Sequence, residues 1–219
     1  MNRPARLTAA ALTLSAALLL SACGGGGDGS TDNGRIKGAD AGKGSTASPS
    51  ASSSAPGSAE RPKITLPSDV KSTFAPEEAG DPVKDAVLHD NAEFVRALNA
   101  AIVARNPKLP ALEFYTEGAA AVAAYNWVKG YTDSGLTVTG TVRYYNRSVK
   151  VKSKTSAAIG YCADETKGYD KVVKTGKLKG TTASKNSYVA YVGNLSLNKD
   201  GIWELTDLVG TRGAASCQP

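Results

Sequence analysis

Histidine occurs once in this chain, at His89, and cysteine three times, at Cys23, Cys162 and Cys217. That scarcity excludes the usual metal patterns, which need several His, Cys or carboxylate ligands at short spacing. No close base is offered to activate a thiol, and no P-loop, dinucleotide fingerprint or serine elbow is present. Charge of one sign is also in short supply. The formal net charge is +6, and Arg3 and Arg6 at the extreme N-terminus supply two of those charges. Such an excess does not argue for nucleic acid. Long apolar runs are missing too. The longest, Ala9 to Leu20, has about a dozen residues where a membrane-spanning helix needs about twenty.

What that short run is for follows from its flanks. Arg3 and Arg6 precede it, giving the charged and apolar regions of an export signal. It ends in Leu20-Ser21-Ala22-Cys23 and gives way to four glycines. This tetrapeptide resembles the lipobox of bacterial lipoproteins. The resemblance implies a signal peptide over residues 1–22, removed on export, and a Cys23 that carries diacylglycerol as the first residue of the mature chain. The location implied is the outer face of the bacterial cytoplasmic membrane, with the lipid anchor as the membrane contact. Two acyl chains hold a protein stably where one binds only marginally.

Residues 23–80 are expected to form a tether. From Gly24 to Pro62 the composition is mainly Gly, Ser, Ala, Thr and Pro with scattered charges, and Ile36 is the one large apolar side chain. Such a segment buries too little surface to offset its ordering entropy. As a Gly/Ser coil it spans roughly 35 Å.

The remaining residues, 81–219, read as one α+β domain. Asp81-Pro82 supplies an N-cap acid and a proline at the first helical position. Val83, Val87, Phe94, Leu98 and Ile102 then recur near helical spacing until Asn106-Pro107. Ala119 to Val128 predicts a second helix, ended by Gly130 or Gly135. Beyond Gly135 the period falls to two: Leu136, Val138, Val142 and Tyr144, then Val149 and Val151 past a bend at Asn146. Ala157, Ile159 and Tyr161 follow, then Tyr188, Ala190 and Val192, and a hairpin turning at Asn198 to Gly201 leads into Trp203, Leu205 and Val209. Residues 164–186 read as a long exposed loop or ragged hairpin. Helices first and an antiparallel meander second is an α+β pattern.

That order resembles the NTF2-like, cone-shaped family. The segments "SAAIGYCADE" and "GIWELTDLVGTRGAASC" resemble the lipid-anchored NTF2-like proteins of high-GC Gram-positive bacteria. The resemblance implies N-terminal helices packed on a curved antiparallel sheet, with a cavity between them. Gly140 and Gly160 suit strong bends in such a sheet. With Cys23 assigned to lipid, Cys162 and Cys217 remain as a pair, and outside the cytoplasm such a pair is most often a disulfide.

Phe94, Tyr125, Trp127, Tyr144 and Trp203 are the candidates to line the cavity, although each could equally fill the core. No residue stands out as catalytic, and no cofactor or metal is implied. A basic stretch includes Arg143, Arg147, Lys150, Lys152, Lys154 and the lysines from Lys167 to Lys185. Lys150, Lys152 and Lys154 share a strand face, where they protect a sheet edge or contact an anionic wall polymer. Three functions compete: a tethered, non-catalytic module binding a small apolar ligand, a protein or an envelope polymer; an enzyme working in the cavity; and a structural envelope protein. The shortage of histidine and of paired acids favours the first. Oligomeric state is not legible.

Overall fold

Asp81 and Pro82 open the first helix as the sequence predicts. In the computed structural model, which describes residues 60–180 and 182–219, helix α1 spans Pro82–Ala104. Asp81 Oδ1 accepts from the backbone N–H of Val83 and Lys84, which satisfies two of the first-turn donors. Arg105 ends the helix in the left-handed region, at φ 56°. The signal segment, Cys23 and the tether as far as residue 59 lie outside the described residues.

A short helix α2, Pro110–Phe114, leads to α3, Gly118–Asp133. The second predicted helix therefore runs past Gly130. A Cβ at that position would meet nothing within 4 Å, so the glycine is an ordinary exposed helical site. Its propensity cost of about 1 kcal/mol is outweighed by the packing of Ala120, Ala124 and Val128. The helix ends at Ser134, and Gly135 turns the chain at φ 68°.

The sheet has six strands. β1 is Val70–Phe74, β2 Leu136–Ser153, β3 Ser156–Val172, β4 Leu178–Lys179, β5 Tyr188–Leu197 and β6 Trp203–Arg212. Their order is β1-β2-β3-β5-β6, with β4 paired to β3. All pairs are antiparallel except β1 with β2. The three helices pack on one face of this sheet, and Val87, Leu88, Phe94, Ile102, Leu112, Val128, Ile159 and Leu205 fill the layer between. The architecture is α+β, with N-terminal helices on a bent, mainly antiparallel sheet.

Three sequence expectations need correction. The tether does not extend to residue 80, because Val70–Phe74 pairs in parallel with Gly140 to Tyr144 and buries Val70 and Phe74. Ahead of it, Arg61 is held by Asp90 of α1. The segment from Asp164 to Asn186 is not mainly loop, because β3 continues to Val172 opposite Leu136. On β5 the inward residues are Val189, Tyr191 and Leu195, whereas Val192 is 62 % exposed. The predicted alternation was one residue out of phase.

Two irregularities in the β2–β3 pair explain why strict alternation misleads there. Between Tyr145 and Ser148, β2 carries one residue more than its partner, and Asn146 stands at φ 51°. That bulge turns Arg147 inward, so Arg147 is buried and is not part of any surface patch. Its guanidinium donates to the carbonyls of Pro76 and Leu88 and to Asn91 Oδ1. Burial pushes its pKa down to about 10. The second bulge lies on β3 between Asp164 and Lys167. It shifts the helix-facing set from odd to even numbers, from Tyr161 and Ala163 to Asp170, which α3 contacts. At the same level Gly140, at φ 92°, lies so close to the Lys167 carbonyl that no side chain would fit.

Candidate functional site: an apolar cavity under the helices

An aromatic row crosses the sheet on the helix side. Phe74 of β1 stacks on its register partner Tyr144 of β2, with ring centroids 5.1 Å apart. Tyr144 meets Tyr161 of β3 edge-on at 6.0 Å, and Tyr161 stacks on Tyr191 of β5 at 5.1 Å. Each strand contributes one ring because cross-strand neighbours on one face lie within ring-contact distance.

Beside this row a cavity of about 970 Å³ opens between the helices and the sheet. Helix α1 supplies Phe94, Leu98 and Ile102, and α3 supplies Ala120, Ala123, Ala124, Trp127 and Tyr131. The sheet side is formed by Val138, Val142 and Tyr144 of β2, Tyr191 of β5, and Leu205 and Leu208 of β6. The spacing of Ala123, Trp127 and Tyr131 places them on one stripe of α3. Alanines on the helix leave the space that larger side chains would fill.

Most polar groups of the lining come from β3, β4, β6 and the segment before β5, with Asn99 of α1 and Thr139 of β2 elsewhere on the wall. Glu165, Thr166, Asp170, Lys179, Asn186 and Arg212 are there, and Lys71 enters from β1. Both carboxylates are engaged. Tyr131 donates to Asp170 Oδ1 at 2.9 Å, and Arg212 donates to Glu165 Oε2 at 2.6 Å. Burial raises the Tyr131 phenol well above its ordinary range, and acceptance by Asp170 raises it further. Burial also raises Tyr144, and it pushes Tyr191 up to about 12 with help from the Glu165 charge. These phenols stay neutral at ordinary pH. They suit hydrogen bonding rather than proton transfer.

Of the side chains expected to line a cavity, Phe94, Trp127 and Tyr144 border it. Tyr125 does not, because it lies off the Ala123–Trp127–Tyr131 stripe. Trp203 does not either. It shares a face with Leu205 but sits in the packed core, 3 % exposed, where its backbone N–H donates to Asp90 Oδ2 at 2.9 Å. Asp90 lies a turn before Phe94, so this end of α1 is closed by packing. Glu165, Asp170 and Tyr191 were not legible as lining residues, since their inward direction depends on the β3 bulge and the phase of β5, while Tyr131 lies beyond the predicted end of its helix and Arg212 beyond a register shift in β6.

The other candidates lie elsewhere. Cys162 and Cys217 form a disulfide with Cα atoms 5.5 Å apart, tying the chain end to the middle of β3. Lys150 and Lys152 lie where β2 has passed the end of β1 and has a partner only in β3, while Lys154 sits in the following turn. All three are exposed, and Lys152 Nζ donates to Asn194 Oδ1 at 2.7 Å. His89 is on the outer side of α1 beside Asp90. Among the described residues no cluster of three or more His, Cys, Asp or Glu side chains is placed to hold a metal ion. No helix among them is long and apolar enough to cross a membrane.

No family model matches the chain, and no curated protein matches it. Several solved structures do. The intermembrane space region of the chloroplast protein ARC6 is similar over 62 % of this chain and 99 % of its own, at 11 % identity and a TM-score of 0.42. A candidate ketosteroid isomerase from Shewanella frigidimarina is similar over 64 % of this chain and 99 % of its own, at 12 % identity and a TM-score of 0.36. A candidate scytalone dehydratase from Novosphingobium aromaticivorans is similar over 58 % of this chain and 88 % of its own, at 11 % identity and a TM-score of 0.32.

Proposed function

We propose that this chain is a non-catalytic ligand-binding module, held at the outer face of the membrane by lipid on Cys23, with the cavity under α1 and α3 as its binding site. The observation that carries this reading is the make-up of the cavity. Its walls are largely aliphatic and aromatic, its volume of about 970 Å³ suits a small molecule, and its charged groups all come from the strands rather than the helices. General acid–base work needs a positioned group that titrates near working pH. Here both carboxylates are bonded to donors, and the phenols are raised away from that range. The tether fits a binder, since free reorientation helps a partner on the wall or membrane to be reached.

Two experiments test the two halves. Replacing Cys23 with Ala should release the protein from the membrane fraction, and retention equal to wild type would refute the anchor. Saturable uptake of a neutral apolar dye should be weakened by Ala123→Phe, which places a ring on the cavity wall. Uptake unchanged by that substitution would remove the cavity from the account.

A further inference from the structure

We infer that the ligand is a single-chain amphiphile with an anionic head, its tail among the α1 and α3 side chains and its head on the lysine-bearing side of the opening. This rests on the proposal that the cavity binds a ligand, and it adds the chemical class. The polarity of the lining is divided. Phe94, Leu98, Ile102, Leu205 and Leu208 surround the inner part, all buried or half-buried. Lys71, Lys179 and Arg212 border it where the lining side chains become exposed.

The charges there do not cancel. Arg212 is matched by Glu165, and Asp170 takes the Tyr131 hydroxyl. Among the described residues neither Lys71 nor Lys179 forms an ion pair, whereas Lys171 nearby is neutralised by Asp69 at 2.7 Å. Exposed Lys174 and Lys177, in the turn between β3 and β4, add positive charge beside Lys179. Lys71, Lys179 and Arg212 outnumber Glu165 and Asp170 by one charge, with Lys179 opposite Asp170 in the β3–β4 register, so an anionic head meets net positive charge and a cationic head does not. Such partly exposed contacts steer and select a head group, and they weaken with salt.

The volume selects the tail. Taking each methylene at about the ~30 Å³ share of a water molecule, an eighteen-carbon chain fills roughly 540 Å³. One such chain fits within about 970 Å³ with room to spare, and two would fill or exceed it.

Residues 60–219 hold the whole core and both disulfide cysteines, so this segment serves for the test. Oleate, oleyl alcohol and oleylamine are titrated below the concentrations at which they self-associate, at low and high salt. Oleate is expected to bind at least about tenfold more tightly than the alcohol at low salt, the scale of a few screened charge contacts. Lys71→Glu with Lys179→Glu should abolish that preference while leaving alcohol binding in place, and salt should shrink it. Equal binding of acid and alcohol, or tighter binding of the amine, overturns the head-group assignment and leaves the cavity reading standing. Failure of all three and of the neutral dye overturns both. Co-sedimentation with phosphatidylglycerol vesicles, with no uptake of free oleate, would assign the lysines to a membrane surface and overturn the inference.

Discussion

Arg61 closes on Asp90 across a gap of 29 residues, its Nη2 donating to Oδ1 at 2.8 Å and to Oδ2 at 3.1 Å. Asp90 is fully buried and also accepts from the Trp203 backbone and His89. One carboxylate thus joins the segment ahead of β1, helix α1 and the start of β6. Asp90→Ala should lower unfolding stability by ~2 kcal/mol, because it strands a buried backbone N–H and leaves the half-buried Arg61 without its partner. Urea unfolding checks this, and a loss below ~0.5 kcal/mol would place the pair among ordinary surface bridges.

The same carboxylate sets a pH dependence. Burial alone would raise its pKa, but the hydrogen bonds from His89, the Trp203 N–H and Arg61 outweigh burial and hold it below the usual carboxylate value. A depressed folded pKa gives stability that is complete above the unfolded value, about pH 4, and is lost as pH falls through the lower folded value. Unfolding free energy should therefore drop below about pH 4 in wild type and less steeply in Asp90→Asn. Identical acid limbs would contradict this.

The Cys162–Cys217 bridge closes a loop of 55 residues and pins the last turn to β3. Chain entropy gives it about 4 kcal/mol. Cys162→Ser with Cys217→Ser should lower the urea midpoint accordingly, with strand β6 fraying first in hydrogen exchange. Two free thiols in freshly isolated protein would remove the premise.

Lys150 and Lys152 stand on the portion of β2 that β1 leaves uncovered. An open edge invites pairing with another chain, and charge discourages it. Replacing Lys150, Lys152 and Lys154 with Thr should raise self-association in size-exclusion chromatography with little change in the urea midpoint. If the lysines instead contact anionic polymer, the triple variant elutes as wild type does and loses retention on teichoic-acid-type polyphosphate.

Much of the fold was legible because its signals are local. Asp81-Pro82 and Asn106-Pro107 bracket α1, and Asn198 with Gly201 makes the predicted hairpin, its Oδ1 accepting from Asp200 and Ile202. What escaped was non-local. Val70–Phe74 has only five residues, and it becomes a strand by pairing with β2 some seventy residues later. Arg147, Glu165 and Asp170 owe their directions to bulges, and a bulge inverts every alternation argument beyond it. The cavity was legible through Phe94, Trp127 and Tyr144, which follow regular helix or strand spacing. Its polar side was not, because β3 from Asp164 onward reads as loop.

If the cavity takes an apolar ligand, the chain's two tryptophans report it directly. Trp127 borders the cavity and is 52 % exposed, whereas Trp203 is shielded in the core at 3 %. Tryptophan emission and acrylamide quenching are recorded during titration with oleate and with oleyl alcohol. Binding predicts a saturable blue shift and protection from quencher in wild type, both lost in Trp127→Phe and weakened in Ala123→Phe. Emission and quenching that stay unchanged up to the solubility limit of both ligands would contradict the account.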